Sequence, residues 1–114
     1  MEFNNNSVLG SIVPNDDLIN VNGLWYNQKS LHLDGYRFVG CRFDFCNLTI
    51  STTRFELIDC YIDGATLTYY SDEVLKVIKL FNSRNQTMYD RAPFFAPIKN
   101  NDGTITITGK SNGA

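Results

Sequence analysis

The fold is decided by the stretch YRFVGCRFDFCNLTI at 36–50, because its character returns 19 residues later as FELIDCYIDGATLTY at 55–69. Several aligned positions keep their size or apolar class, and four are identical. The identical pairs are Cys41 and Cys60, Asp44 and Asp63, Leu48 and Leu67, and Thr49 and Thr68. Self-similarity at a fixed period is typical of stacked repeat architectures. We therefore interpret the 19-residue offset as one circuit of a solenoid.

A shorter period of five runs through each copy. Large apolar residues recur at this spacing, at Leu33, Phe38, Phe43 and Leu48 and then at Leu57, Ile62 and Leu67. Small residues stand two positions before the later ones, namely Cys41, Cys46, Cys60 and Ala65. Neither the helical period of 3.6 nor the strand period of 2 describes this pattern. It predicts a squared coil that turns a corner every five residues and stacks on the next coil at about 4.8 Å.

The segment 31–69 resembles the pentapeptide-repeat proteins, which form right-handed quadrilateral β-helices from units of the type Ala-(Asp/Asn)-Leu-x-x. The closest units are CNLTI at 46–50 and ATLTY at 65–69. The pattern that begins at Leu33 is also similar to one found in small bacterial and phage-related proteins. The resemblance implies a mainly β fold built on a short right-handed parallel β-helix of about two to three coils.

The flanks are expected to cap this helix of strands, because an open stack has unpaired backbone at both ends. Ser71 followed by Asp72 and Glu73 predicts the start of a C-terminal α-helix over 72–84. Its apolar face is expected to hold Val74, Leu75, Val77, Ile78 and Phe81. The alternation TITIT at 104–108 predicts a terminal strand.

The N-terminal region reads as two strands, VLGSIV at 8–13 and LINV at 18–21, which together could form an irregular first coil. Asn22-Gly23 is expected to make a hairpin turn into Leu24-Trp25-Tyr26. We expect one domain over 1–114, made of N-terminal strands or cap (1–30), coils (31–69), helix (72–84), and loop with terminal strand (85–114).

Size and charge exclude several classes. With 114 residues the chain has room for one core, and a net charge of −2 argues against direct nucleic-acid binding. The N-terminus has no basic region and no apolar run is long enough to cross a bilayer, so we expect a cytoplasmic protein with no membrane partner. Three cysteines without a CxxC pair and one histidine, His32, predict no metal site and no cofactor.

Catalytic patterns are missing from the sequence. The ending Gly109-Lys110-Ser111 imitates part of a P-loop but lacks the first glycine, and GxGxxG, HExxH and GxSxG do not occur. His32 precedes the inward Leu33 and is expected to face solvent. Cys41 and Cys60 are expected to be reduced fillers of a narrow interior. We therefore predict no catalytic residues and no enzyme.

Two groups of residues are candidates for binding. The repeat stacks Asp44 on Asp63, with Arg42 beside the first and Tyr61 beside the second, which predicts a small polar binding face. The alternative is that each aspartate only caps a corner of the coil. The second group is Phe94 and Phe95, two aromatic residues in a proline-rich loop that either cover a core or meet a partner.

The sequence favours a non-enzymatic protein-binding module, expected as a small inhibitor in a bacterial or phage–host system. The alternative is a binder that sequesters a nucleotide-like small molecule, with Arg and Tyr side chains contacting phosphate and ring. DNA mimicry is less favoured, because arginines are interspersed among the acidic residues of the coils. The protein partner is unknown, and a homodimer is expected through an open coil end or the 104–108 strand.

Overall fold

A computed structural model of the chain describes residues 17–84 and 95–109. These residues form a β-solenoid with one α-helix. The elements are β1 (Ile19–Asn22), β2 (Trp25–Asn27), β3 (Ser30–His32), β4 (Tyr36–Val39), β5 (Arg42–Asp44), β6 (Asn47–Ile50), β7 (Glu56–Ile62), β8 (Leu67–Tyr70), α1 (Asp72–Ser83), β9 (Ile98–Lys99) and β10 (Ile105–Ile107).

The first eight strands form about three stacked coils. β1, β2 and β3 make the first coil, and each pairs in parallel with its counterpart in the second coil, β4, β5 and β6. The third coil consists of β7, which runs along two faces, and β8 on the third face. The mainly β fold, a short parallel β-helix with one C-terminal helix and a terminal strand, is confirmed.

Each circuit has three strand faces, and not the four sides of the squared coil. Ile19 pairs with Tyr36, so the first circuit takes 17 residues, whereas Phe38 pairs with Leu57 and the second takes 19. The extra residues lie at the third corner, which is Leu33 to Gly35 in the first circuit and 51–55 in the second. The carboxylate of Asp34 holds this longer corner by accepting both Ser51 N–H and Thr52 N–H, at 3.0 and 2.8 Å.

The five-residue period reflects short strands joined by tight corners. Six corner residues of the coils have left-handed backbone, with φ between 53° and 86°: Gly23, Gln28, Gly35, Gly40, Phe45 and Asp59. Within a face three or four extended residues are followed by such a corner, so every fifth residue returns to the same inward position. Glycine adopts this conformation without strain, whereas Gln28 and Phe45 adopt it at a cost that the surrounding ladder hydrogen bonds offset.

The inner residues of the second coil form the core. Phe38, Phe43 and Leu48 are buried, and the ring of Tyr26 in the first coil stacks on Phe43 at a centroid distance of 5.3 Å. All three cysteines are buried and free, as expected of reduced interior residues. Their thiols donate to carbonyl groups one coil below, for example Cys60 Sγ to the Phe38 oxygen at 3.3 Å.

The repeat alignment fails on the third face of the third coil. Asn47 pairs with Leu67 and Leu48 pairs with Thr68, an offset of 20, so the alignment of Leu48 with Leu67 is wrong. One additional residue in the corner after Ile62 causes the slip. As a result Leu67 is 54% exposed, and Thr66, not Ala65, occupies the corner position that Cys46 fills below. Thr66 Oγ1 accepts the Cys46 N–H there at 3.1 Å.

The end of the stack after the third coil is closed in part by the C-terminal elements. β10 pairs antiparallel with β7 and β9 pairs with β10, so the predicted 104–108 strand lies inside a sheet and offers no free edge to a second copy. Helix α1 begins at its N-cap Ser71 and packs Val74 against the core. Val77, predicted on the buried face, is exposed, because it lies at the margin of the face formed by Val74, Leu75, Ile78 and Phe81.

The start of the described chain differs from the predicted hairpin. Asn22-Gly23 turns a corner between two faces, and β1 and β2 pair with the second coil and not with each other. Within the described residues, the β-helix therefore begins at Ile19, with a regular first coil. The predicted strand at 8–13 lies outside the described residues.

Candidate functional site

A row of outward-facing side chains runs across the second face, with Trp25 and Arg42 exposed and Tyr61 half-buried. Trp25 of β2, Arg42 of β5 and Tyr61 of β7 are register partners, one above the other. They point outward, because their neighbours Tyr26, Phe43 and Ile62 occupy the inward positions. We call these three residues the Trp25 row. Its first member is 65% exposed, the largest apolar side chain presented by the β-helix.

Asp44 fixes two members of the row. Its Oδ2 accepts a hydrogen bond from Trp25 Nε1 at 2.7 Å and another from Arg42 Nε at 2.7 Å. The Asp44 residue is only 9% exposed, so the two donors replace the water that a free carboxylate would keep. The carboxylate of Asp44 therefore holds the exposed indole of Trp25 in one orientation.

Arg42 and Tyr61 are also in contact. The guanidinium carbon of Arg42 lies 4.7 Å from the centroid of the Tyr61 ring, within cation–π distance. The pKa of Arg42 is raised, mainly by its hydrogen bond to Asp44 and then by the charge of that carboxylate. Gly103 leaves room beside Tyr61, since a Cβ at this position would come within 3.8 Å of the ring. The arginine is thus a permanent, positioned cation in the middle of the row.

The two aspartates that the sequence stacked have different hydrogen-bond partners in the structure. Asp63 follows β7 as Asp44 closes β5, but its Oδ1 accepts Thr66 Oγ1 at 2.7 Å and Thr66 N–H at 2.9 Å. The Phe45 N–H from the coil below also donates to it, at 3.2 Å. These bonds, with the Thr66 hydroxyl first, lower the pKa of Asp63. Asp63 therefore caps a corner, whereas Asp44 serves the row.

The structure therefore contains part of the predicted polar binding face. Arg42 contacts both Asp44 and Tyr61, whereas Asp63 is hydrogen-bonded to Thr66 within its own corner. Phe95 is exposed and lies near the Phe81 ring of α1, at a centroid distance of 5.5 Å. Phe94 lies outside the described residues. Trp25 was not among the predicted site residues, because it lies 17 residues before Arg42, whereas the repeat in the sequence has an offset of 19.

The first face has a row of a different kind. Asn20, Arg37 and Glu56 are register partners, and Arg37 Nε donates to Glu56 Oε1 at 2.8 Å while Nη1 donates to Asn20 Oδ1 at 2.9 Å. The polar atoms of this row satisfy one another across the coils. The exposed indole ring on the second face is not satisfied in this way, because its apolar carbon surface is not stabilised by contact with water.

Comparisons with known proteins leave the site to be interpreted on its own geometry. No protein-family model matches the chain, and neither a curated protein nor a solved structure shows significant similarity. Within residues 17–84 and 95–109, no three His, Cys, Asp or Glu side chains are grouped so as to hold a metal ion. The one described helix is too short and too polar to span a membrane.

A concave feature lies at the start of the β-helix, apart from the Trp25 row. A cavity of about 330 Å³ is lined by inward residues of the first coil and their neighbours, namely Val21, Tyr26, Leu31, His32, Tyr36 and Phe38. Burial, with smaller effects from Cys41 and Tyr36, raises the pKa of Tyr26, so its hydroxyl stays protonated. His32 is exposed at the rim, with Nδ1 3.8 Å from Asp34. This lining is apolar and carries no Arg or Lys for a phosphate.

Proposed function

We propose that this protein is a non-enzymatic protein-binding module and that the Trp25 row is its contact surface. The observation that carries the proposal is the hydrogen bond from Trp25 Nε1 to Asp44, which holds a 65% exposed indole in place. Trp, Tyr and Arg are the residue types most enriched among those that dominate binding energy in protein interfaces. The row contains one of each.

Preorganisation supports this proposal. A side chain that is ordered only on binding costs about 0.5–1.5 kcal/mol of conformational entropy. Trp25 and Arg42 are already held by one carboxylate oxygen, and the Arg42 guanidinium lies over the Tyr61 ring. Much of that cost has been met on folding, and the aromatic surface remains available for burial against a partner.

The chemistry of Asp44 favours binding over catalysis. A general base must have a lone pair within reach of the proton it removes. The Oδ2 atom already accepts two short hydrogen bonds, one from Trp25 Nε1 and one from the guanidinium of Arg42. The same ion pair weakens the nucleotide-like alternative, because a phosphate would have to compete with a carboxylate fixed 2.7 Å from Arg42.

Affinity capture from an extract of the source cells, with site variants, tests the proposal. Wild type, Trp25→Ala and Arg42→Ala are compared with Leu80→Ala, which removes a side chain of nearly equal exposure (66%) from α1. We expect a protein that is retained by wild type and Leu80→Ala and lost from both row variants. Capture that is equal for all four forms, or a small molecule retained in native mass spectrometry with no such protein, would contradict the proposal.

A further inference from the structure

Strand β8 has one free edge. It is the outermost strand of the sheet β3-β6-β8, and no described strand pairs with its second edge. On the paired side, Leu67 N–H donates to the Cys46 carbonyl at 2.9 Å and Ser71 N–H to the Ile50 carbonyl at 3.1 Å. Backbone groups of a strand alternate between its two edges. Thr68 and Tyr70 therefore direct their N–H and C=O groups to the free edge.

The side chains of β8 are exposed on both faces. All four residues of the strand are exposed. Thr68 and Tyr70 occupy inward positions, since they pair with the buried Leu48 and Ile50, and their hydroxyl groups lie 2.8 Å apart. Among residues 17–84 and 95–109, the interior of the third face therefore ends at β8 without a further strand over these two residues.

This edge lacks the protection that the edges at β9 and β3 carry. Natural edge strands are blunted by Lys, Pro, other charges or bulges. The outermost strand β9 contains Lys99 and follows Pro97, and β3 follows Lys29. β8 reads Leu-Thr-Tyr-Tyr, without charge, glycine or proline, and β-branched and aromatic residues favour strands.

The same end of the solenoid already accepts an added strand. On the first face, β10 pairs antiparallel with the outer edge of β7, with Ile105 opposite Cys60 and Ile107 opposite Leu57. The chain closes this face with its own C-terminal hairpin. On the third face, the equivalent position beside β8 has no described strand in it.

We propose that the free edge of β8 is a strand-addition site and that β8 of a second copy occupies it, antiparallel, about a two-fold axis. In the register that uses every free backbone group, Thr68 faces Tyr70 of the partner subunit and Tyr70 faces the partner's Thr68. Each such pair exchanges two hydrogen bonds. The result is a continuous six-stranded sheet through two molecules, with Tyr69 beside its own copy on the outer face.

The charges near β8 are compatible with this register. The acidic residues Asp72 and Glu73 at the start of α1 would face Thr66 and Ala65 of the partner subunit, so no like charges oppose one another across the junction. An isologous contact also closes after two copies and does not grow into a fibre. The site is independent of the Trp25 row, which lies on the second face.

Sedimentation velocity and native mass spectrometry at micromolar concentration test this inference with a matched pair of variants. Thr68→Lys places a charge on the free edge of β8, and Ser30→Lys places the same charge on β3, the outermost strand at the other end of the same sheet. We expect wild type and Ser30→Lys at twice the 13.0 kDa chain mass. Thr68→Lys should dissociate at least about tenfold more readily.

Hydrogen exchange on the wild type removes dependence on how the variants fold. The amides of Thr68 and Tyr70 should gain protection as protein concentration rises. A monomeric mass throughout the micromolar range overturns the inference. So does a dimer that persists in Thr68→Lys, one that is lost in Ser30→Lys instead, or exchange at Thr68 and Tyr70 that is independent of concentration.

Discussion

Trp25 donates its indole hydrogen to Asp44 Oδ2 at 2.7 Å, joining residues 19 positions apart in sequence and one coil apart in the β-helix. The bond spans two stacked strands, β2 and β5, and ends on an oxygen that also accepts Arg42 Nε. A carboxylate that is almost fully buried thus supports a ring that is mostly exposed. This combination is what distinguishes the second face of the solenoid from the self-satisfied polar row on the first face.

Removal of Asp44 should release that ring. Asp44→Ala leaves Trp25 Nε1 and Arg42 Nε without their shared acceptor, and hydrogen bonds to charged groups contribute about 1.5–3 kcal/mol. Because Arg42 is largely exposed, its ion pair adds little to this. We expect a loss of about 1–3 kcal/mol in the free energy of unfolding, together with a lower steady-state anisotropy of Trp25 fluorescence. Asp44→Asn keeps one oxygen acceptor and should lose less; unchanged anisotropy in Asp44→Ala would show that the bond does not orient the ring.

The register of the third coil predicts opposite behaviour for two leucines that the repeat aligns. Leu48 is fully buried, so Leu48→Ala should cost about 2–5 kcal/mol of unfolding free energy. Leu67 lies at an outward position and is about half exposed, so Leu67→Ala should change stability by no more than about 0.5 kcal/mol. Denaturant unfolding of the two variants measures both values. Equal, large losses would mean that Leu67 stacks on Leu48 in the interior after all.

The corner at Asp63 predicts a specific dependence of stability on pH. Its pKa is lower in the folded chain than in the unfolded chain, chiefly because the Thr66 hydroxyl donates to it. Its stabilising contribution is therefore present above the unfolded pKa, about 3.9, and is lost as pH falls through the lower folded value. Asp63→Asn should melt below wild type at neutral pH, and the gap should narrow under about pH 4.

Thr66→Val is the matched variant for that experiment. It removes the hydroxyl that does most to lower the pKa of Asp63, so the pKa should move back toward its usual value. A carboxylate-detected NMR titration of Asp63 reads this directly. If the Asp63 titration is the same in wild type and Thr66→Val, the hydroxyl does not stabilise the ionised form.

The part of the fold that sequence reasoning predicts correctly is the part with regular corners. The period of five places Phe38, Phe43 and Leu48 inside the second coil, where two-residue corners separate the three strands. It fails after Ile62, because a single extra corner residue reverses which side chains face inward on β8. The corner accommodates such an extra residue at little cost in free energy. The insertion does not change the spacing of apolar residues within the neighbouring strands, so the sequence pattern does not reveal it.

The candidate site was predicted only in part for a similar reason. The inward residues of the first and second coils share their apolar or aromatic character, but almost none of the aligned residues are identical. Val21 lies below Phe38 and Tyr26 below Phe43. The offset of 17 therefore gave no alignment signal, and Trp25 was assigned to a hairpin and not placed below Arg42. The bond from Trp25 to Asp44 depends on that register, so nothing local in the sequence could reveal it.

Fluorine NMR of Trp25 in the presence of the captured partner tests the proposed function most directly. Trp25 is the only tryptophan in the chain, so 5-fluorotryptophan gives one resonance that reports on the Trp25 row alone, whatever the partner contains. We predict that this resonance shifts and broadens as the partner is added, with a midpoint equal to that of binding measured by calorimetry. Saturated binding with an unchanged Trp25 resonance would contradict the account and place the interface elsewhere on the molecule.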